Sequence, residues 1–126
     1  MKLTADNVEK IFMDCLFTKD EDPSAAVKVE GIVSNFGFHP DRLKSHEEDI
    51  YSMLKELPKE FQKDGGDGGW SFLNACNDKD GGQWTGLHQK MEQLFVLGIA
   101  IGKARWCMPK NMWKMFPGGM PYVTVL

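Results

Sequence analysis

The segment Leu94-Phe95-Val96-Leu97-Gly98-Ile99-Ala100-Ile101-Gly102 contains no polar side chain, and it constrains this chain more than any other part of it. It is roughly half the length that would cross a bilayer, and it continues a helical pattern that begins upstream. Leu87, Met91, Leu94, Phe95, Gly98, Ile101 and Gly102 lie close to one stripe, while Val96, Leu97, Ile99 and Ala100 fill the other sides. A helix that is apolar all round has to be surrounded by other elements. The pattern therefore predicts a buried central helix over residues 85–107, stopped by Pro109. The fold class that follows is mainly α: a single-domain helical bundle packed around residues 87–101. Gly98 and Gly102 predict a groove along this helix where another backbone approaches closely.

The partners for that helix are legible upstream. Val8, Ile11, Phe12, Cys15 and Leu16 form one apolar stripe, predicting a first helix over 5–17 with Thr4 as its cap. Residues 24–36 read two ways. Val27, Val29 and Val33 alternate like a strand, but Ala25, Ala26, Val29, Ile32, Val33 and Phe36 share one helical face. The helical reading is preferred, with Asp22-Pro23 opening it and Gly37 closing it. A third helix is expected from Pro40, burying Leu43, Ile50, Leu54 and Leu57, and ending before Pro58. A turn is expected over 59–63 and a short helix over 109–116. Trp70, Phe72 and Asn74 leave room for a small β-hairpin closed by residues 77–82, and residues 120–126 read as an extended tail.

With 126 residues the chain fits one domain, 1–126. Within it an acidic helical part, 1–63, is separated by the Gly-rich loop 64–69 from an aromatic, central-helix part, 70–126. Residues 1–63 carry nine Lys/Arg and thirteen Asp/Glu, against six and five in 64–126. The overall charge of −3 does not suit a general nucleic-acid binder, although it leaves room for a local basic patch. Cys15, Cys76 and Cys107 are odd in number, far apart and without CxxC spacing, which argues against a disulfide scaffold. With no apolar segment near the start of the sequence given, a cytoplasmic protein that does not engage membranes is the expectation.

The chemical motifs mostly fail on inspection. Gly81-Gly82-Gln83-Trp84-Thr85-Gly86 has phosphate-loop spacing, but Leu87-His88 stands where lysine and a hydroxyl are needed. Asn77-Asp78-Lys79-Asp80-Gly81 resembles part of a calcium loop, yet Cys76 and Leu87 would occupy two ligand positions. His46-Glu47 begins a zinc-protease motif that ends in Ile50 instead of a second histidine. No metal and no cofactor is predicted. Weak catalytic candidates remain in His88 and Glu92, which align with Trp84 at spacings of four on the central helix. A histidine oriented by a carboxylate beside an aromatic wall is the arrangement of a general base. A half-buried histidine bonded to Glu92 explains the same spacing with no chemistry.

The recurrent feature is a Gly-Gly step beside a large ring: Gly68-Gly69-Trp70, Gly81-Gly82-Gln83-Trp84, and Gly118-Gly119-Met120-Pro121-Tyr122. Trp and Tyr are frequent anchors of binding interfaces, so Trp70, Trp84, Trp113 and Tyr122 are the candidate binding residues. The competing account is that the rings plug one end of the bundle. Residues 103–116 interleave Lys103, Arg105, Lys110 and Lys114 with Trp106, Trp113 and three methionines. Such a segment grips a protein adaptably or stacks on single-stranded nucleic acid.

Gly69-Trp70-Ser71-Phe72-Leu73, Gln83-Trp84, Met91-Glu92-Gln93-Leu94, Leu97-Gly98-Ile99-Ala100 and Pro117-Gly118-Gly119-Met120-Pro121-Tyr122 together resemble small bacterial or prophage-borne hypothetical proteins without assigned function. That resemblance implies no activity and no catalytic residues. The expectation is a non-catalytic protein, an inhibitor or adaptor, that binds another protein through its Trp/Gly-rich loops. Single-stranded nucleic acid is the weaker alternative partner, and self-association is compatible with the same surface. A small-molecule binder or enzyme with a His88/Glu92 pocket is the alternative from a different class.

Overall fold

The computed structural model describes residues 1–18, 20–29, 36–57, 83–106 and 123–126. Helix α1 spans Ala5–Cys15, followed by a 3₁₀ turn at Pro23–Ala25 and strands β1, Val27–Lys28, and β2, Gly37–Phe38. Then come α2, Pro40–Ser45, α3, Glu47–Lys55, and the long α4, Gln83–Ala100. Strands β3, Ala104–Trp106, and β4, Val123–Val125, complete the described elements. These residues are thus partly helical, with two small antiparallel strand pairs, β1 with β2 and β3 with β4.

Helix α1 forms as its sequence requires. Thr4 is extended, and its Oγ1 accepts the Asn7 N–H at 3.1 Å, while the Thr4 carbonyl accepts from Val8 at 3.1 Å. Val8, Ile11, Phe12 and Cys15 are all buried, which is the predicted stripe. They pack on α4, as does α3 through Leu54. Met91 and the four successive residues Leu94, Phe95, Val96 and Leu97 are buried too, so α4 is enclosed around its whole circumference at that turn. Each such side chain contributes roughly 1.5–3 kcal/mol on burial.

The helical reading of 24–36 is overturned for its described residues. Pro23–Ala25 is a single 3₁₀ turn, and Val27 and Lys28 pair with Phe38 and Gly37. The reason lies in three rings. Phe36 and Phe38 both meet the edge of Phe12, at centroid distances of 5.5 and 5.6 Å and interplanar angles of 77° and 79°. Side chains two apart share a face only in an extended chain. Edge-to-face contacts of this kind add roughly 0.5–1.5 kcal/mol to the burial term. Gly37 accordingly sits in β2 and does not cap a helix. A Cβ there would lie 3.2 Å from that of Ala26. Strand β2 is also held on its other side, where Phe17 N–H donates to the Gly37 carbonyl at 2.7 Å and His39 N–H to the Cys15 carbonyl at 3.0 Å.

The expected third helix is two helices. His46, at φ −103° and ψ 4°, ends α2 and starts α3. Leu43, Ile50, Leu54 and Leu57 are buried as predicted, joined by Met53, which the pattern had not singled out.

Helix α4 ends earlier than residue 107, and Gly102 is the cause. Its φ of +77° is left-handed. Gly102 N–H donates to the Ile99 carbonyl at 3.0 Å and Lys103 N–H to the Gly98 carbonyl at 2.9 Å. These two bonds are a Schellman motif with glycine at C′, and they turn the chain into β3 and back toward α4. Among the described residues no second backbone fills the groove expected between Gly98 and Gly102. At Gly98 the approach is made by side chains: a Cβ would fall 2.6 Å from Leu54 Cδ1 and 2.8 Å from the Ala104 Cβ. At Gly102 an added Cβ would meet no atom of the described residues within 4 Å. The extended tail is observed in Val123–Val125. The readings for 59–63, 70–82 and 109–116 lie outside the described residues.

Gly98→Ala is expected to destabilise the protein by about 1–3 kcal/mol in a urea melt. Leu54 can rotate away from the new methyl group, but the Ala104 Cβ can yield only by moving β3. Ala104→Gly in the same chain is therefore expected to restore part of the loss. Gly102→Ala meets no neighbour and is expected to cost about 1–2 kcal/mol, from its backbone conformation alone.

Candidate functional site

Of the residues singled out in the sequence, Trp70, Trp113 and Tyr122 lie outside the described residues. Trp84, His88 and Glu92 fall on α4, one turn apart. Glu92 is half-buried, and loss of hydration raises its carboxyl above the ordinary carboxylate value. Beside it in sequence, the Oε1 of Gln93 is buried without a hydrogen-bond partner among the described residues. A buried acceptor left unpaired costs free energy.

A second constellation was not singled out beforehand. Four side chains meet in pairs where α1, the following loop and α2 come together. His39 Nε2 is hydrogen-bonded to Glu21 Oε2, and His46 Nε2 to Asp14 Oδ2 at 2.6 Å. Arg42 links the pairs. Its Nη2 lies 3.1 Å from Glu21 Oε1, and its Nη1 donates to the Asp14 carbonyl at 3.2 Å. The loop is shaped for this: Thr18 N–H donates to Glu21 Oε2 at 3.1 Å, and Ser24 N–H and Oγ both donate to Asp22 Oδ1. The Glu21 carboxyl is held down to about 2, first by the His39 hydrogen bond and then by that of Thr18. Asp22 is lowered by its two bonds from Ser24.

The sequence did carry a signal for this cluster. Asp14 and Glu21 are seven apart, as are His39 and His46, and antiparallel crossing pairs the outer with the outer and the inner with the inner. Reading the histidines only for metal spacing hides it. Among the described residues no group of three or more His, Cys, Asp and Glu side chains could hold a metal ion.

Chemically, the cluster is a set of satisfied pairs. The neighbouring Cys15 thiol is buried, and that burial, helped by the Asp14 charge, pushes it up to about 11. It is therefore a neutral core side chain, as its place on the α1 stripe predicted. Ser45 Oγ is engaged with the Arg42 carbonyl at 2.8 Å. On another side of α2, a shallow groove of about 180 Å³ is lined by Val27, Pro40, Leu43, Lys44, Glu47 and the Ala100–Ile101 end of α4. Its volume suits a single apolar side chain better than a cofactor. Among the described residues no helix is long and apolar enough to cross a membrane.

Comparison of the chain with known protein families, with curated proteins and with solved structures finds no match.

The lowered Glu21 fixes the sign of an acid effect. A carboxyl held below its ordinary 4.5 contributes stability above that value and loses it as the pH falls through about 2. The urea midpoint of Glu21→Gln is expected to lie below that of the natural protein at neutral pH, with the gap closing as the solution is acidified through that interval.

Proposed function

We propose that this chain is a non-catalytic cytoplasmic binding protein, an inhibitor or adaptor borne by a mobile genetic element, that grips another protein through Trp70, Trp84, Trp113 and Tyr122. The mobile-element origin rests on the resemblance carried by the Gly/Trp segments and the Pro-Gly-Gly-Met-Pro-Tyr tail. The grip rests on one observation of topology. Strands β3 and β4 pair Trp106 with Val123, so the segment that carries Trp113 and Tyr122 leaves and rejoins the framework at adjacent points. Both ends of the ring-bearing segment are thus anchored. Anchoring lowers the conformational entropy lost when its rings contact a partner. In this reading the remaining helices form a bundle around α4, with the Gly/Trp loops gathered at one pole. Its test is affinity capture with the natural chain and with Trp70→Ala, Trp84→Ala, Trp113→Ala and Tyr122→Ala, each checked for native melting. One captured protein that at least one folded variant binds more than about tenfold more weakly is expected. Folded variants that all retain the partner overturn the proposal.

The unpartnered Gln93 Oε1 and the raised Glu92 carboxyl favour a second reading, a small-molecule site on α4 that includes His88. A ligand that binds only the folded state stabilises it by about 2.7 kcal/mol at a hundredfold excess over Kd. A melting-temperature rise with one metabolite, abolished in His88→Ala and Glu92→Gln, selects this reading. A flat response across metabolites and nucleotides dismisses it.

A further inference from the structure

We propose that strand β1 is a docking edge for an extended segment of another protein, one that sets an apolar residue in the groove beside Val27 and an acidic residue opposite Lys28. The hydrogen bonds show which way β1 faces. Phe17 N–H donates to the Gly37 carbonyl and His39 N–H to the Cys15 carbonyl, so Gly37 and His39 turn their backbone groups toward the end of α1. Successive residues of an extended chain bond to opposite sides. Phe38 therefore bonds to Val27, its register partner in β1, and the N–H and carbonyl of Lys28 point away from β2. Among the described residues neither of these groups has a hydrogen-bond partner, and the exposed Lys28 ammonium is in no ion pair. An open edge of this kind is a template for one more strand.

The two faces of β1 fix the chemistry of that added strand. Val27 lines the groove of about 180 Å³ together with Leu43, Ala100 and Ile101, a space for one apolar side chain. Lys44 and Glu47, also in its wall, are of opposite sign and give the groove no preference for charge. Lys28 lies on the other face, because side chains alternate along a strand. A segment added beside β1 alternates in the same way. Its residue opposite Val27 turns to the groove face, and the next one turns to the face of Lys28. Valine, isoleucine or leucine in the first place is removed from water, and aspartate or glutamate in the second pairs with the Lys28 ammonium. Main-chain bonds to Lys28 supply affinity common to all sequences, while the groove and the ammonium select among them. A second copy of this chain is the poorer occupant. Antiparallel pairing of two β1 edges about a twofold axis at Lys28 sets the two ammonium groups opposite each other, where like charges repel. The edge uses none of the Trp-bearing segments, so it stands whether or not they grip a partner.

The test is fluorescence anisotropy with a labelled synthetic peptide in which valine and aspartate alternate. Three relatives are measured beside it: one with lysine in place of aspartate, one with serine in place of valine, and one methylated at the aspartate amides, which face Lys28 in the docked strand. The valine–aspartate peptide is expected to bind. Its affinity is expected to fall by about tenfold or more with serine, by about three- to tenfold with lysine, and by at least about threefold on methylation. Lys28→Glu is expected to reverse the order of the aspartate and lysine peptides. Ala100→Leu, which fills the groove, is expected to weaken the first peptide roughly tenfold. In hydrogen exchange read by NMR, the peptide is expected to protect the Lys28 amide and to leave the buried residues 94–97 unchanged. The proposal is overturned by no binding at about 1 mM peptide, by a methylated peptide that binds as well as its parent, or by a Lys28→Glu variant that keeps the original order. Protection of the Lys28 amide that rises with protein concentration in the absence of peptide places a second copy on the edge and also overturns it. Should Ala100→Leu not fold, Lys28→Glu, at an exposed position, decides the matter.

Discussion

Gly98 allows three elements to meet in a space that a single β-carbon would fill. Leu54 of α3 and Ala104 of β3 both close on this position of α4, and the chain reaches Ala104 only because Gly102 turns it back within four residues. The close approach needs the reversal, because without the left-handed residue the helix would continue and carry Ala104 away. The reversal in turn brings β3 to where β4 joins it, and Leu126 N–H donates to the Lys103 carbonyl at 2.9 Å just beyond that pair. Tyr51 closes the same corner. Its hydroxyl donates to the Leu126 carbonyl at 2.7 Å, and the Lys55 and Lys103 ammonium groups sit 4.3 and 5.6 Å from its ring centre.

At the C-terminal end of α1 a different kind of cohesion operates. Phe12, Phe36 and Phe38 form a ring cluster that decides the conformation of the chain after the first loop, and β2 is bonded on both sides. Next to this apolar anchor lies α2, whose ties are mostly ionisable. The two arrangements answer to different conditions. Ring contacts respond little to salt, whereas the exposed Arg42–Glu21 ion pair is screened by it.

The reading of function as partner binding and the reading of a pocket overlap on α4, which carries Trp84 as well as His88 and Glu92, but they rest on different observations. The first concerns a segment anchored by a strand pair. The second concerns a helix face that holds an unsatisfied amide oxygen and a desolvated carboxyl. The His39–Glu21 and His46–Asp14 cluster stands apart from both, since it involves neither the Trp-bearing segments nor Glu92. Its imidazoles resemble a general-base arrangement taken one pair at a time. Seen together with Arg42, each ring has its own carboxylate, and Glu21 is shared between His39 and Arg42.

The sequence by itself determined the elements whose pattern is local and strong. The α1 stripe and its Thr4 cap, the buried positions Leu43, Ile50, Leu54 and Leu57, the enclosed turn of α4 and the extended tail at Val123–Val125 were all legible. Helical periodicity and capping act within a few residues, so they leave a mark that can be read without neighbours. The helical pattern placed Glu92 on α4, whereas the pairing of Asp14 with His46 and of Glu21 with His39 left only matching seven-residue spacings in the sequence. Tertiary structure alone decided that residues 27–29 run extended, that α4 stops at Ala100, and that Asp14 and Glu21 meet His46 and His39. In each case the deciding contact joins residues far apart in the chain or depends on which of two roles a glycine takes. Valines and glycines are compatible with several local conformations of similar energy, and only the partner brought by the rest of the fold selects among them.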